Sequence, residues 1–181
     1  MKRAIALLEK HNLLKIISDE LDINLEIPHI AYVEVKRPDS KAILFTNVVD
    51  RKNSKKFKEP VLMNVFCNED AVKLFIGDGD KIGSEIESLL KLKPPVTFSE
   101  KLSTLGKLFS LKNTIPKKIK GKGICQEVIK LGADAKLSDL PVIKTWEEDG
   151  GPFITMGQVY TQSLNGELKN LGMYRLQVFP D

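Results

Sequence analysis

The chain has 181 residues, of which 42% are hydrophobic and 29% are charged, and its formal net charge is +4. This length and hydrophobic content suffice for a domain with a proper core and exclude a disordered chain. Apolar runs are too short for a membrane span, and acidic residues interrupt the first 30 positions, so no signal peptide is predicted. We therefore expect a cytoplasmic protein, with peripheral attachment to a membrane left open.

The cysteines and a lysine-rich stretch are the first candidates for chemistry. Cys67 and Cys125 lie far apart and have no CxxC partner, which predicts reduced, buried thiols. Residues 112–122 are rich in lysine but contain no aromatic residue, so a solvated basic loop is favoured over a nucleic-acid site. Mild positive charge would also suit an anionic small molecule as substrate.

The first two-thirds of the chain predicts helices alternating with short strands. The predicted helices cover residues 1–17, 70–76, 81–91 and 99–111, with Asn68 as the cap of the second. The predicted strands cover residues 31–35, 42–49 and 60–66, the first two forming a hairpin. Residues 77–80 (GDGD) lack the oxygen spacing of a calcium loop and are predicted to form a turn.

The C-terminal quarter predicts two strands joined by a tight turn. Residues 153–162 and 168–179 are rich in β-branched and aromatic residues, and Asn165-Gly166 lies between them. This dipeptide favours a two-residue type I′ turn, which would pair Leu164 with Glu167. Counting outward, the register would then place Thr161 opposite Asn170 and Met156 opposite Arg175.

The side chains of Asn170 and Arg175 are not expected to point in the same direction from the second strand. They differ by an odd number of residues, so an ideal strand would point them to opposite faces. Gly172 lies between them and is a candidate for a bulge that re-aims one of the two side chains.

The residues before the hairpin offer no catalytic set by themselves. Glu147, Glu148 and Asp149 are interpreted as a solvated turn, and Trp146 as part of an aromatic core cluster. The sequence contains no Ser/His/Asp arrangement, no phosphate loop with lysine and no paired histidine ligands. The lone His11 and His29 are interpreted as surface or cap residues and not as catalysts. Composition and patterning therefore lead only to an α/β domain without assigned chemistry.

A long ordered string carries a family resemblance. It runs from Asp139-Leu140-Pro141 through Asp149-Gly150-Gly151, Thr155 and Gly157-Gln158 to Asn170-x-Gly172-x-Tyr174-Arg175. This string resembles the signature of UbiD-type decarboxylases, such as 3-polyprenyl-4-hydroxybenzoate decarboxylase. The resemblance spans nearly the whole chain, and its specific part is the last quarter. It implies removal of carboxylate from an aromatic or α,β-unsaturated acid with prenylated FMN.

The resemblance also implies roles for individual residues. Asn170 matches an asparagine that binds Mn²⁺ or another divalent ion next to the flavin phosphate, and K⁺ is left open as a further ion. Met173, Tyr174 and Arg175 match the segment that lines the cofactor. Arg175 also matches a catalytic arginine near the substrate carboxylate, and Thr155 is a candidate for the substrate pocket.

The fold implied by the resemblance is mixed α/β, with residues 1–110 as an N-terminal α/β part. Residues 111–181 would begin a split β-barrel of the flavin-reductase type, incomplete at its C-terminus. The implied partners are the acid substrate, such as a precursor of ubiquinone or menaquinone, a flavin prenyltransferase that supplies the cofactor, and further copies of the chain. No nucleic acid and no integral membrane segment are expected.

The chain ends before several functional groups that the family places downstream. These are an acidic proton donor and two further metal ligands, a histidine and a glutamate. We therefore expect the chain to be the front part of such an enzyme, to lack acidic neighbours for Arg175, and not to decarboxylate on its own. The alternative is a truncated, non-catalytic module that binds flavin or a partner.

Overall fold

A computed structural model describes residues 1–91 and 120–180 and shows the predicted mixture of helices and strands. The chain divides into two compact units. The first consists of Met1–Gly77 and Lys136–Asp181, and the second of Asp78–Ala135. The predicted domain boundary at residue 110, the predicted helix over 99–111 and most of the lysine-rich stretch lie outside the described residues.

The first unit contains three helices and six strands. In chain order they are α1 (Lys2–Lys10), β1 (Leu14–Asp22), α2 (Glu26–Val35), β2 (Ala42–Asp50), β3 (Lys55–Lys56), β4 (Val61–Met63), α3 (Glu69–Ile76), β5 (Phe153–Gln162) and β6 (Lys169–Gln177). In its described residues, the second unit contains α4 (Gly79–Leu90) and two short 3-10 turns at Ile124–Gln126 and Gly132–Asp134, and a further 3-10 turn at Leu137–Asp139 belongs to the first unit.

The first sheet is built around β2. This strand pairs in parallel with β1, and α2 is the crossover that a parallel connection requires. On its other edge β2 pairs antiparallel with β4 and with β3. Six of its nine residues are buried, as expected for a strand covered on both faces. The sheet therefore has β2 as its buried centre.

The hydrophobic core lies around this sheet and includes one residue from the distant C-terminal segment. Its buried members are Ile23, Ile27, Ile43, Phe45, Val48, Phe57 and Ile143. Their burial supplies the main stabilising free energy of the unit, at roughly 25 cal/mol per Å² of apolar surface removed from water. Ile143 therefore ties the segment that precedes the hairpin to the core.

The predicted first helix is wrong beyond Lys10. The chain leaves the helical conformation at Asn12, whose φ is +56°, and β1 begins at Leu14. The apolar residues that suggested a longer helix belong to β1, where Ile17 packs against the core. Pairing with β2 overrides the local helical spacing in this segment.

The predicted hairpin of residues 31–35 with 42–49 is also wrong, because residues 31–35 are the end of α2. Pro28 lies in the first turn of this helix, where its missing N–H does no harm. The helix is held to the sheet by the buried Glu34, which accepts hydrogen bonds from Lys15 Nζ at 3.3 Å and from the Lys41 backbone N–H at 3.3 Å. The β-branched residues of the segment thus form a helix because of tertiary contacts.

The predictions around α3 and α4 are confirmed in position. Asn68 caps α3 by accepting the Ala71 N–H at 2.9 Å, and Gly77, with φ of +100°, ends the helix. Asp78 then caps α4, so the predicted turn is only two residues long. Among residues 1–91 and 120–180, no group of three or more acidic, histidine or cysteine side chains is arranged to hold a metal ion.

Two further predictions are confirmed only in part. The strand predicted over 60–66 is limited to β4, because Asn64 adopts φ of +55° and its side chain donates to the Ala31 carbonyl at 2.7 Å. Cys67 is a buried free thiol, as predicted, and burial raises its pKa. Within the described ranges, no helix combines the length and apolar character needed to cross a membrane.

The C-terminal segment pairs with the residues that follow β1 before it forms the hairpin. The Lys144 N–H donates to the Ile23 carbonyl at 3.1 Å, and the Leu25 N–H donates to the Lys144 carbonyl at 3.1 Å. The Phe153 N–H then donates to the Ile143 carbonyl at 2.9 Å. The start of β5 is therefore fixed to a residue of the core.

Candidate functional site

The hairpin of β5 and β6 carries all the residues predicted for the site. The strands pair antiparallel, and Thr161 lies opposite Asn170 as predicted. The type I′ turn is wrong, because Gly166 has φ of +75° but Asn165 does not have a positive φ. Ser163 and Leu168 close the loop instead: the Ser163 N–H donates to the Leu168 carbonyl at 2.9 Å.

A bulge in β5 lies directly opposite Arg175. Ile154 pairs with Leu176 and Gly157 with Tyr174, so both Thr155 and Met156 face Arg175. The predicted bulge at Gly172 is wrong, since Gly172 pairs regularly with Val159. A bulge bends its own strand and increases the local twist, so this one shapes the hairpin beside the arginine.

One face of β6 carries Asn170, Gly172 and Tyr174. The Asn170 Nδ2 group donates to the Tyr174 hydroxyl at 3.3 Å, which leaves Asn170 Oδ1 available as an acceptor. The Tyr174 ring lies over Gly172, where an added Cβ would be only 2.5 Å from a ring carbon. The absence of a side chain at Gly172 therefore lets the ring lie there, and its backbone is not in a glycine-only conformation.

The other face of the hairpin carries Arg175. Its Nη1 and Nη2 groups donate to Oδ1 and Oδ2 of Asp149 at 3.1 and 2.6 Å, a bidentate pair. Its Cζ atom lies 3.8 Å from the centre of the Phe153 ring, within the range of a cation–π contact. The guanidinium is thus held at its end by a carboxylate and on one flat side by a ring.

Asp149 is itself fixed by the backbone. Its Oδ2 atom accepts the Trp146 N–H at 3.1 Å, and its own N–H donates to the Trp146 carbonyl at 3.1 Å. The Arg175 hydrogen bond and these backbone donors lower the pKa of the Asp149 carboxyl, and Asp149 in turn raises the pKa of Arg175. The pair is therefore ionised at neutral pH.

The loop after Asp149 approaches β6 most closely at Gly150. A Cβ added to Gly150 would lie 3.0 Å from the Gln177 side-chain nitrogen, and one on Gly151 would lie 3.5 Å from the Val178 carbonyl. The loop therefore passes close to the end of β6, which brings Asp149 to Arg175.

Two expectations about Asp149 are corrected by this geometry. Asp149 is not a freely solvated turn residue, since 11% of its side chain is exposed. Arg175 does not lack an acidic neighbour, because Asp149 supplies one from within the chain. The register of Phe153 with Gln177 is the signal that was missed, since it places the residues just before β5 near the end of β6.

The structure does not bring the predicted metal ligand and the predicted catalytic arginine to one face. Asn170 and Tyr174 share one face of β6, and Met173 and Arg175 share the other. Thr155 is exposed in the bulge opposite Arg175. A single ligand that contacts both Asn170 and Arg175 would span roughly 17 Å along the strand, at about 3.3 Å per residue.

An open groove of about 750 Å³ lies between α2 and residues 145–148. Trp146 packs edge-on against Tyr32 there, with ring centres 5.6 Å apart, and is half exposed. The prediction of a core aromatic cluster around Trp146 is therefore wrong. None of the predicted site residues lines this groove.

Two family models match the chain. The N-terminal domain of 3-octaprenyl-4-hydroxybenzoate carboxy-lyase (UbiD) matches residues 5–90, and the Rift-related domain of the same enzyme family matches residues 117–181. Curated relatives include an uncharacterized Helicobacter pylori protein, 44% identical over 99% of this chain, and an Aquifex aeolicus protein, 38% identical over 94%. The chain spans 29% and 34% of their respective lengths.

Solved structures of the same class share the fold. The open form of the vanillic acid decarboxylase from Sedimentibacter hydroxybenzoicus has a TM-score of 0.67 at 19% identity, with 99% of this chain and 34% of that chain covered. The UbiD-class enzyme HmfF from Pelotomaculum thermopropionicum, in complex with FMN, has a TM-score of 0.59 at 20% identity, with the same coverage. With both domain models matched along most of its length, the chain belongs to the UbiD family of carboxy-lyases.

Proposed function

We propose that the chain is the N-terminal portion of a UbiD-like decarboxylase that acts on an aromatic, 4-hydroxybenzoate-type acid or an α,β-unsaturated acid. The family models are named for a 3-octaprenyl-4-hydroxybenzoate carboxy-lyase, and the proposed substrate is a quinone precursor of this kind, for ubiquinone or menaquinone. The observation that carries the proposal is the arrangement on β6, where an oriented amide and a clamped arginine lie five residues apart. Family membership supplies the reaction class.

Asn170 fits the role of a single metal ligand. Its Oδ1 atom is free to accept because its Nδ2 atom donates to Tyr174, and a neutral amide oxygen suits a hard divalent ion such as Mn²⁺. One amide oxygen gives little affinity alone, so phosphate oxygens and further ligands must complete the coordination. We therefore expect metal binding only together with a flavin phosphate.

The distance between the Asn170 amide and the Arg175 guanidinium fits an elongated cofactor. With its phosphate near Asn170, a flavin mononucleotide would reach toward Arg175 across the edge of β6, which no strand in the described part of the chain covers. Met173 and Tyr174 lie between these two ends. When bound, prenylated FMN supplies the electron sink that no side chain of the chain offers.

Arg175 fits the role of the group that binds and orients the substrate carboxylate. Its planar fork matches a carboxylate, and the Phe153 ring covers one of its flat sides. Thr155 and Met156 form the bulge opposite it and would shape the adjoining pocket. Orientation of this kind is worth several powers of ten in rate when the reacting group is held correctly.

The assembly around the hairpin follows from the same proposal. Apolar side chains of the hairpin strands, including Met156, Leu171 and Met173, are more than half exposed. We propose that the hairpin begins a split β-barrel of the flavin-reductase type and that further strands cover it. A homo-oligomer and supply of the cofactor by a flavin prenyltransferase belong to this proposal.

The decisive experiment is cofactor binding. Calorimetry with prenylated FMN and Mn²⁺ should give binding that requires both components and is lost in Asn170→Ala. Asn53→Ala, an exposed asparagine in the loop before β3, is the matched control and should bind normally. Tight Mn²⁺ binding without the flavin, or unchanged binding by Asn170→Ala, would contradict the assignment of Asn170.

The alternative is a flavin-binding module without catalysis, in which Asn170 and Tyr174 hold the cofactor on one face of β6 and Arg175 on the other face pairs only with Asp149. Decarboxylation of 4-hydroxybenzoate-type acids by the natural protein isolated from its source cell separates the two. The enzyme proposal expects carbon dioxide release that Arg175→Gln abolishes. Cofactor binding without release from any aromatic or unsaturated acid tested would support the module.

A further inference from the structure

The Arg175, Asp149 and Phe153 side chains form a cluster that fixes which edge of the guanidinium is open. We propose that Asp149 and Phe153 are positioning residues: Asp149 retains the end of the Arg175 fork while a substrate carboxylate binds the side edge made by Nε and the adjacent Nη. This inference rests on the proposed role of Arg175 as the carboxylate-binding residue. It adds two residues and a binding geometry to that role.

The count of donors supports a second carboxylate on Arg175. A guanidinium has five N–H donors in one plane, and Asp149 accepts one from Nη1 and one from Nη2. Asp149 does not use the Nε–H or the remaining Nη hydrogens. Nε and the neighbouring Nη present two parallel donors on the side edge, which match the two oxygens of a carboxylate.

The Phe153 ring determines the direction of that edge. The ring lies 3.8 Å from Arg175 Cζ and covers one flat side of the guanidinium. Phe153 is held in turn by its backbone hydrogen bond to Ile143, a core residue that is 5% exposed. The position of the guanidinium is therefore restrained from the core, and a carboxylate that binds its N–H donors approaches in the guanidinium plane.

Asp149 is better placed to stay than to be displaced by a substrate. Its side chain is 11% exposed and its Oδ2 atom also accepts the Trp146 N–H, so displacing it would break three hydrogen bonds. The Arg175 side chain is 42% exposed and has an unused edge. A second carboxylate reaches this edge without breaking the existing pair.

The ion pair of Arg175 with Asp149 also suits a decarboxylation. The negative charge leaves the carboxylate during this reaction, so strong binding of the carboxylate would stabilise the substrate more than the transition state. Asp149 neutralises Arg175 and so weakens its attraction for the substrate, while the hydrogen-bond geometry is retained. The cluster thus orients the carboxylate without binding it too tightly.

The test follows the Arg175 Nε–H signal by two-dimensional NMR while sodium benzoate is added to the full chain. The chain has four arginines, Arg3, Arg37, Arg51 and Arg175, so each signal can be assigned. We expect benzoate to shift the Arg175 Nε–H signal and to leave the Asp149 carboxyl carbon signal in place. Movement of the Asp149 signal toward that of a free carboxylate would show displacement and overturn the inference.

Asp149→Asn supplies the second arm of the test. Removal of the charge should tighten benzoate binding roughly threefold, the effect of one nearby unit charge in a water-like medium. The amide that replaces the carboxylate keeps only one acceptor for the fork, so one end-on N–H becomes available to benzoate and the Nε–H shift should become smaller. Asp39→Asn, which removes the partner of the exposed Arg37, is the matched control and should leave both readings unchanged. Weaker benzoate binding by Asp149→Asn would overturn the inference.

Phe153 is tested with a conservative pair of variants. Phe153→Leu should broaden the Arg175 Nε–H signal and weaken benzoate binding, and Phe153→Tyr should restore both, because it keeps the ring. Equal behaviour of the leucine and tyrosine variants, with backbone spectra that show an intact fold, would remove Phe153 from the cluster. If benzoate leaves Arg175 unaffected in the wild type, the proposed role of Arg175 fails as well. Displacement of Asp149 with a shifted Arg175 contradicts only the present inference.

Discussion

The central strand of the first sheet and the hairpin differ in what their residues contact. β2 is buried along most of its length, with Ala42, Ile43, Phe45 and Val48 fully buried. The hairpin strands contain no buried residue, although Met156, Leu171 and Met173 are large and apolar. The first region is therefore explained by packing within the chain, whereas no described part of the chain buries the large apolar residues of the hairpin.

The charged groups of the two regions differ in the same way. In the first region, Lys15 and Glu34 join a helix to a strand at the border of the core. In the hairpin, Arg175 has a partner, a ring beneath it and unused donors. The Lys15–Glu34 pair therefore serves the structure, whereas Arg175 keeps donors with which it can bind a ligand.

The largest expected effect is on stability and tests the comparison directly. Phe45→Ala removes a fully buried ring from β2 and should lower the free energy of unfolding by about 3–5 kcal/mol. Leu171→Ala, at a site 65% exposed in β6, should change it by no more than about 0.5 kcal/mol. Urea unfolding followed by circular dichroism measures both values. Similar losses in the two variants would mean that the hairpin packs within the chain as the sheet does.

A smaller effect is expected at the Asn170 face. Gly172→Ala places a Cβ where the Tyr174 ring lies, so the flexible ring should move away and release the Asn170 amide. Calorimetry should show binding of Mn²⁺ with prenylated FMN weakened roughly tenfold, as when a metal ligand loses its orienting partner. Gly83→Ala in α4, where an added Cβ meets open space, is the control. Unchanged cofactor binding by Gly172→Ala would show that Tyr174 does not orient Asn170.

The smallest effect is on the titration of Asp149. Arg175 and backbone donors lower the pKa of this carboxyl, so its midpoint should lie below the ordinary value of about 3.9. The pair therefore stabilises the fold at neutral pH, and this contribution is lost as the pH falls through the lowered pKa. In Arg175→Gln the midpoint should rise toward the ordinary value, measured by carboxyl carbon NMR. Asp39, whose pKa Arg37 lowers, is the internal control and should not change.

Sequence reasoning located the elements whose signals are local. The bounds of β5, the cap of α3 by Asn68 and the pairing of Thr161 with Asn170 follow from neighbouring residues. The segments misassigned in the first 50 residues, β1 and α2, are decided by parallel pairing with β2 and by packing of the helix on the sheet. Such contacts between distant residues override local spacing.

The candidate site was predictable only in part for a related reason. Roles could be assigned to Asn170 and Arg175 only through the family resemblance, because the spacing of these residues alone indicates no function. The role of Asp149 as the partner of Arg175 was missed because it depends on the pairing of Phe153 with Gln177 and on the bulge in β5. Gly172 was misinterpreted because its small size serves the Tyr174 ring and not a bulge.

The bridge between Asn24 and Lys144 has a consequence for the order of folding. It joins residues separated by roughly 120 positions, and contacts of such long range form slowly because a large loop must close first. During synthesis, β1, α2 and β2 can assemble as soon as residue 50 has emerged, whereas Ile143 and the hairpin must wait. We therefore expect the hairpin to be the last part of the first unit to gain protection in pulsed hydrogen exchange, with the Leu25 amide, which donates to Lys144, as the reporter of its docking.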